Sequence, residues 1–152
     1  MSGSSRHRDD FATRYQDVMW LQHFAPAGLH QHPLLPIDYF CQRGNPFYDT
    51  TCSNEKLKMQ GKKQDQIMAM LGAQRGVEYR PREAKANNIF LIDKQLRVSP
   101  SKCTRLALYY ILMDGKIYQA PNIKAIVTSR QKKCAHYMDR AFEALYPKLT
   151  ST

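Results

Sequence analysis

The side chains best able to do chemistry in this chain are its histidines and cysteines. His30 and His32, followed by Cys41 and Cys52, bring two imidazoles and two thiols into one stretch, a donor set that a zinc ion would accept. Their spacing matches no common zinc pattern, and Pro33 and Pro36 break the segment. Solvated loop histidines and packed thiols account for the same residues, so no metal is expected. A thiol nucleophile needs a histidine within hydrogen-bond reach, and Cys52 with His136 or Cys103 with His23 are the pairs on offer. Neither stands in a nucleophile elbow, and the sequence shows no paired carboxylates in a recognisable frame and no glycine-rich phosphate cradle. The expectation is a protein without catalytic residues and without a cofactor.

Contact chemistry is better represented. Asp38-Tyr39-Phe40, then Asn45-Pro46-Phe47-Tyr48-Asp49, then Cys52-Ser53-Asn54-Glu55 gather aromatics, a proline and uncharged polar groups where an ordinary helix would alternate core and solvent. Tyr39, Phe40, Phe47 and Tyr48 are rigid, amphipathic residues of the kind that dominates binding energy, and Pro46 fixes the approach. The same four also suit a packing bridge inside the fold, and some can do both.

Net charge narrows the partner. The chain has 152 residues, a formal charge of +10 and 43% hydrophobic content, which bounds it to one domain with a modest core. Between Lys56 and Lys85, eight basic residues face only Asp65, Glu78 and Glu83, a region that favours acidic protein surfaces or phosphates. Tyrosines interleaved with Lys and Arg are how single strands are held, yet there is no ribonucleoprotein-type aromatic motif, zinc finger or recognition helix. An acidic protein partner is therefore expected and no specific nucleic acid, with a basic nucleic-acid-binding domain as the alternative. Four cysteines far apart, no Cys-x-x-Cys pair and no signal-peptide pattern point to a reducing, intracellular compartment. No apolar run approaches the roughly 20 residues a bilayer requires, so no membrane is expected. Lys132-Lys133 beside Arg130, and Lys62-Lys63 near Lys56 and Lys58, could serve nuclear import or form solvated faces.

The elements that must position these residues are α+β in class: a small antiparallel sheet with short N-terminal helices and a long C-terminal amphipathic helix. Residues 1–10 read as a disordered tail, 11–147 as a single domain and 148–152 as a flexible end. The four-residue spacing of Phe11, Tyr15 and Met19 permits a helix leading into Trp20-Leu21. Pro26, Gly28, Pro33 and Pro36 then make an extended connector, closed by a short helix over Ile37 to Gln42. A second helix is expected to start with an N-cap among Asp49 to Thr51 and run to Gln60, and a third from Lys63 to Leu71. Val77 to Tyr79, Ile89 to Ile92 and Leu106 to Met113 read as strands. Asp114-Gly115 marks a hairpin with a type I′ turn. Both alternating sets of the Leu106 to Met113 strand are apolar, so both faces need cover. The last helix begins at Pro121 and carries Ile123, Ile126, Val127, Cys134, Tyr137, Met138, Ala141, Phe142 and Leu145 on one stripe, ending at Pro147. Arg130 falls in the middle of that stripe. It is expected to anchor the helix, to the rest of the chain or to a partner, through a charge-assisted hydrogen bond.

Taken in order, these blocks resemble the Mediator subunit 6 family over about Tyr15 to Phe142. The blocks are Trp20-Leu21, Asp38-Tyr39-Phe40, Asn45 to Asp49, Cys52 with Asn54-Glu55, Lys58-Met59-Gln60, Val77-Glu78-Tyr79, Ile89 to Ile92 with Lys94-Gln95, Ser99-Pro100, Tyr109-Tyr110, Ile117 to Pro121, and Ser129-Arg130. Departures are Ser53 where the family usually has a second Asn, Asp93 where it often has a basic residue, and a longer Gly72 to Arg75 stretch. The resemblance implies a non-enzymatic, nuclear subunit of the Mediator head module. It would be lodged against head subunits such as 8 and 17 and support RNA polymerase II through the assembled complex. The residues expected to bind partners are Asp38, Tyr39, Phe40, Asn45, Pro46, Phe47, Tyr48, Asp49, Asn54, Glu55, Tyr118, Pro121 and Arg130.

Overall fold

The computed structural model describes residues 13–84 and 88–149. The expected tail, Met1 to Asp10, lies outside these residues, as do Phe11 and positions 150–152. The chain divides into two compact units, Met1–Ala120 and Pro121–Thr152.

The first unit is built on a five-stranded antiparallel sheet in the order β1-β5-β4-β3-β2. Its strands are β1 (Arg14–Tyr15), β2 (Gly76–Arg82), β3 (Ile89–Ser99), β4 (Lys102–Leu112) and β5 (Ile117–Gln119). Among the described residues four short α-helices come before β2: α1 (Val18–Phe24), α2 (Leu35–Phe40), α3 (Ser53–Met59) and α4 (Gln64–Met70). Among its described residues the second unit holds one helix, α5 (Ile123–Leu149), with the Asn122 side chain accepting from the Ala125 N–H at 2.7 Å. Its 27 residues span about 40 Å at 1.5 Å per residue.

The expected fold class holds, and several local expectations do not. Tyr15 belongs to a strand, not a helix: Arg14 pairs with Tyr118 and Tyr15 with Ile117. The helix starts after Asp17, whose carboxylate caps it by accepting from the Trp20 N–H at 2.9 Å. The N-cap of α3 is Cys52, its sulfur accepting from the Glu55 N–H, rather than a residue in Asp49 to Thr51. Strand β3 continues well past Ile92, through Asp93 to Ser99. At Asp114-Gly115 the hairpin is present but the turn is not type I′, which needs positive φ at two residues. Gly115 alone has it, at φ 85°. The Gly115 N–H donates to the Leu112 carbonyl at 2.9 Å and the Leu112 N–H to the Lys116 carbonyl at 2.9 Å, a three-residue loop with glycine in the left-handed position. A Cβ at Gly115 would also strike Leu21. Pro121 precedes α5 and Pro147 lies within its last turn.

The core sits between the sheet and the residue 17–59 segment. Tyr39, Phe40, Tyr79, Ile92, Tyr109, Ile111 and Ile117 are wholly buried there. Side chains opposite one another in the register share a face. Tyr79, Lys94 and Ala107 therefore point towards the helices, while Glu78, Gln95 and Arg105 point away. The inner face of β4 is the better covered. Tyr109 and Ile111 are buried, whereas Leu108, Tyr110 and Leu112 on the outer face are half-buried. A shift of register after Lys94 leaves Leu106 exposed.

Candidate functional site

The residues singled out between Asp38 and Glu55 assemble into a wedge of aromatic rings whose polar atoms fasten it to the sheet. Phe40 lies 5.1 Å from Tyr109 and 5.3 Å from Tyr79 between ring centroids, and meets Tyr48 edge-on. Phe47 packs on Tyr109 at 5.3 Å, and Tyr48 on Tyr79 at the same distance. Such tilted and edge-on pairs use the ring quadrupole and add about 0.5–1.5 kcal/mol each beyond area burial.

The hydroxyls of Tyr39 and Tyr79 then join segments far apart in the chain. The Tyr39 hydroxyl donates to the Gly115 carbonyl at 2.7 Å and accepts from the Asp17 N–H at 2.9 Å, tying α2 to the β4–β5 turn and to the start of α1. The Tyr79 hydroxyl does the same for the Phe47 carbonyl and the Asp49 N–H, both at 3.0 Å. The Tyr48 hydroxyl donates to Glu55, which also holds Arg43 in an ion pair at 3.0 Å. Asn45 closes its own loop by donating to the Phe40 carbonyl and accepting from the Phe47 N–H.

Asn54 does something more specific. Its amide nitrogen donates to the Tyr79 carbonyl at 2.9 Å, and its amide oxygen accepts from the Tyr79 N–H at 2.8 Å. Tyr79 lies in β2, the edge strand, so the side-chain amide stands in for the backbone of a missing neighbour strand. Asn54→Ala leaves two buried backbone groups unsatisfied and is expected to cost about 2–4 kcal/mol in urea unfolding. Asn54→Asp is expected to be worse, because a carboxylate cannot donate to the Tyr79 carbonyl.

Burial sets the electrostatics. It pushes the Tyr39 hydroxyl up to about 12 and the hydroxyls of Tyr48 and Tyr79 upward as well. Burial likewise raises the thiols of Cys41 and Cys52. A nucleophilic cysteine requires the reverse, a thiolate favoured at neutral pH, so Cys52 is placed as a packed cap and not as an attacking group. Asp38 is raised by burial against the opposing charge of Lys58, and lines a shallow pocket of about 320 Å³ with His32, Leu34, Leu35, Gln64 and Asp65.

The expected partner-binding residues therefore divide. Tyr39, Phe40, Asn45, Phe47, Tyr48, Asn54 and Glu55 are buried and satisfied within the chain, so the packing-bridge reading describes them. Asp38, Asp49 and Tyr118 are half-buried, and Pro46, Pro121 and Arg130 exposed. Arg130 is a solvated side chain on α5, so the desolvation that motivated a charge-assisted anchor does not arise within the helix.

A second polar array escaped the sequence reading. Glu78, wholly buried on the outer face, accepts from Arg80 at 2.9 Å and from two nitrogens of Arg97 at 3.0 Å, with Gln95 as a further donor. Asp93 accepts both forks of Arg82, at 2.8 and 2.9 Å, and pairs with Arg105 at 2.9 Å. Burial works against the Glu78 charge, but the hydrogen bonds from Arg97, Gln95 and Arg80 outweigh it and hold its pKa below the ordinary carboxylate range. The signal was present as period-two charge, Glu78-x-Arg80-x-Arg82 against Asp93-x-Gln95-x-Arg97.

A sheet clipped along one edge by a side-chain amide, and filled by an aromatic wedge, defines an α+β module. The family model described as MED6 mediator sub complex component matches residues 13–150. The chain belongs to the Mediator subunit 6 family. It is 35% identical over 129 residues to the Mediator of RNA polymerase II transcription subunit 6 of Anopheles gambiae, covering 85% of this chain and 44% of that protein. The Danio rerio protein of the same name is 38% identical over 112 residues, covering 74% and 42%. The chain thus spans less than half the length of these relatives. Two solved structures share the fold. One is a chain of the Schizosaccharomyces pombe Mediator head module (TM-score 0.68, 21% identity, 90% of this chain and 88% of that one). The other is the Schizosaccharomyces pombe Mediator subunit Med6 (TM-score 0.62, 23% identity, 90% and 96%).

Proposed function

We infer that this chain is a non-catalytic subunit of the Mediator coactivator in the nucleus, a scaffold of its head module that contacts other head subunits, such as 8 and 17, and reaches RNA polymerase II through the assembled complex. The observation that carries this reading is the family match over residues 13–150, which takes in both units. The physical chemistry is consistent with it. With the aromatic wedge satisfied internally, the residues left for partners are Asp38, Pro46, Asp49, Tyr118, Pro121 and Arg130. To these α5 adds an apolar stripe, Ile123, Ile126, Val127, Tyr137, Met138, Phe142 and Leu145, all exposed. One helix cannot bury its own stripe, and large permanent interfaces resemble a domain core cut in half.

Tagged purification from nuclear extract after nuclease treatment, followed by cross-linking mass spectrometry, tests the reading. Other head subunits are expected, with cross-links from Lys56, Lys58 or Lys132. Recovery of the chain alone, or loss of its partners on nuclease treatment, would overturn it.

A further inference from the structure

The outer face of the sheet carries two diagonal ion-pair rows in which arginine outnumbers carboxylate two to one. Arg80 and Arg97 share Glu78, and Arg82 and Arg105 share Asp93. The carboxylates are nearly out of solvent, at 0% and 12% side-chain exposure, while Arg105 is 58% exposed and Arg80 and Arg82 each 31%. The anions therefore lie beneath and hold the guanidinium planes in place, while Arg80, Arg82 and Arg105 face outward; Arg97, 10% exposed, lies beneath with the carboxylates. Arg75 and Lys102, both exposed, add two more positive charges near the same end. A guanidinium has five donors, and one carboxylate occupies at most two or three of them, so Arg82 and Arg105 keep donors for a further anion, whereas Arg97 also donates to the Ser99 and Pro100 carbonyls and Arg80 to the Met68 carbonyl.

Beside the arginines lies an apolar band. Leu108 pairs with Asp93, and the next row across the sheet reads Arg82, Leu91, Tyr110, Tyr118, Arg14. Leu108, Leu91, Tyr110 and Tyr118 are all half-buried.

We propose that this face is a docking surface for an acidic, amphipathic polypeptide segment of a partner protein, its carboxylates held by Arg80, Arg82 and Arg105 and its apolar side chains laid on Leu91, Leu108 and Tyr110. Charge complementarity selects the occupant: the rows hold four arginines against two carboxylates, a surplus of positive charge among the described residues. Successive rows are about 7 Å apart, the repeat of alternate residues in an extended strand. The tyrosines favour a polypeptide over a nucleic-acid strand. Tyr110 and Tyr118 stack on each other at 5.3 Å and 18°, so these rings are not splayed apart as platforms for successive bases. The surface is separate from the aromatic wedge, and the inference does not depend on the complex the chain joins.

The test is fluorescence anisotropy of the full chain with a labelled peptide of alternating glutamate and leucine at low salt. Saturable binding is expected, weakened at least fivefold by Arg105→Gln. This variant leaves the Arg82–Asp93 pair in place, and its melting temperature is the check on folding. Lys102→Gln, at an exposed turn-proximal position, provides a second variant and is expected to weaken binding about twofold. Lys132→Gln on α5 makes the same change in net charge and is expected to have no effect. The proposal fails if the peptide does not bind, if a glutamine-for-glutamate peptide binds equally, or if Lys132→Gln weakens binding as much as Arg105→Gln. It also fails if an oligothymidylate binds more tightly than the peptide and loses affinity with Arg105→Gln, which would make the face a nucleic-acid site.

Discussion

Glu78→Gln is expected to destabilise the first unit by about 3 kcal/mol, a loss visible as a lower urea midpoint at pH 7. The substitution keeps the shape and one acceptor but removes the charge that Arg80 and Arg97 share. Arg97 is itself only 10% exposed, so its guanidinium cannot recover hydration when its partner goes. It also donates to the Pro100 carbonyl at 2.7 Å, which fixes the β3–β4 turn, so the damage should spread to Ser99 and Lys102. The pH dependence has a definite sign. The folded-state pKa of Glu78 is depressed, so its contribution is fully present above the unfolded value of about 4.3 and is lost as pH falls through the lower folded value. Between pH 5 and 3, wild type should therefore lose stability more steeply than Glu78→Gln. Equal slopes would mean that the ion pair contributes nothing beyond shape. Pairing the change with Arg97→Met should cost less than the sum of the two, since each removes the same interaction.

How legible the fold was depended on whether a signal was local. The β4–β5 hairpin and the amphipathic stripe of α5 could be read because a turn glycine and a 3.6-residue period sit within one short window. Strand β3 beyond Ile92 could not, since Asp93, Lys94, Gln95 and Arg97 look like a solvated loop until their partners on β2 and β4 are known. Strand β1 is two residues long and exists only because Tyr15 meets Ile117 across the sheet. The site followed the same rule. The block Asp38 to Glu55 was recognisable as unusual from composition, but its direction was not. Tyr39 finds its acceptor 76 residues away, and Asn54 its strand 25 residues away. Polar groups satisfied over such distances look exposed in sequence and prove to be interior.

That distinction has its sharpest consequence at Phe40. Phe40→Ala is expected to cost about 3–5 kcal/mol, because the ring is wholly buried and in contact with Tyr48, Tyr79 and Tyr109, and the cavity left behind cannot close without moving several of them. For a unit of this size the melting temperature should fall by about 10–20 °C. Pro46→Ala, five positions beyond Cys41 on an exposed corner of the same block, should change it by no more than a degree or two. Partner capture should separate the two residues in the opposite sense. Well below its melting temperature, Phe40→Ala should retain the partners that wild type recovers, since its ring meets this chain and not another. Pro46→Ala should weaken capture if the exposed corner is a contact. Were Phe40→Ala to lose partners while its melting temperature stayed within a few degrees of wild type, the ring would have to be a contact residue exposed in the assembled state, and the wedge would be a surface after all.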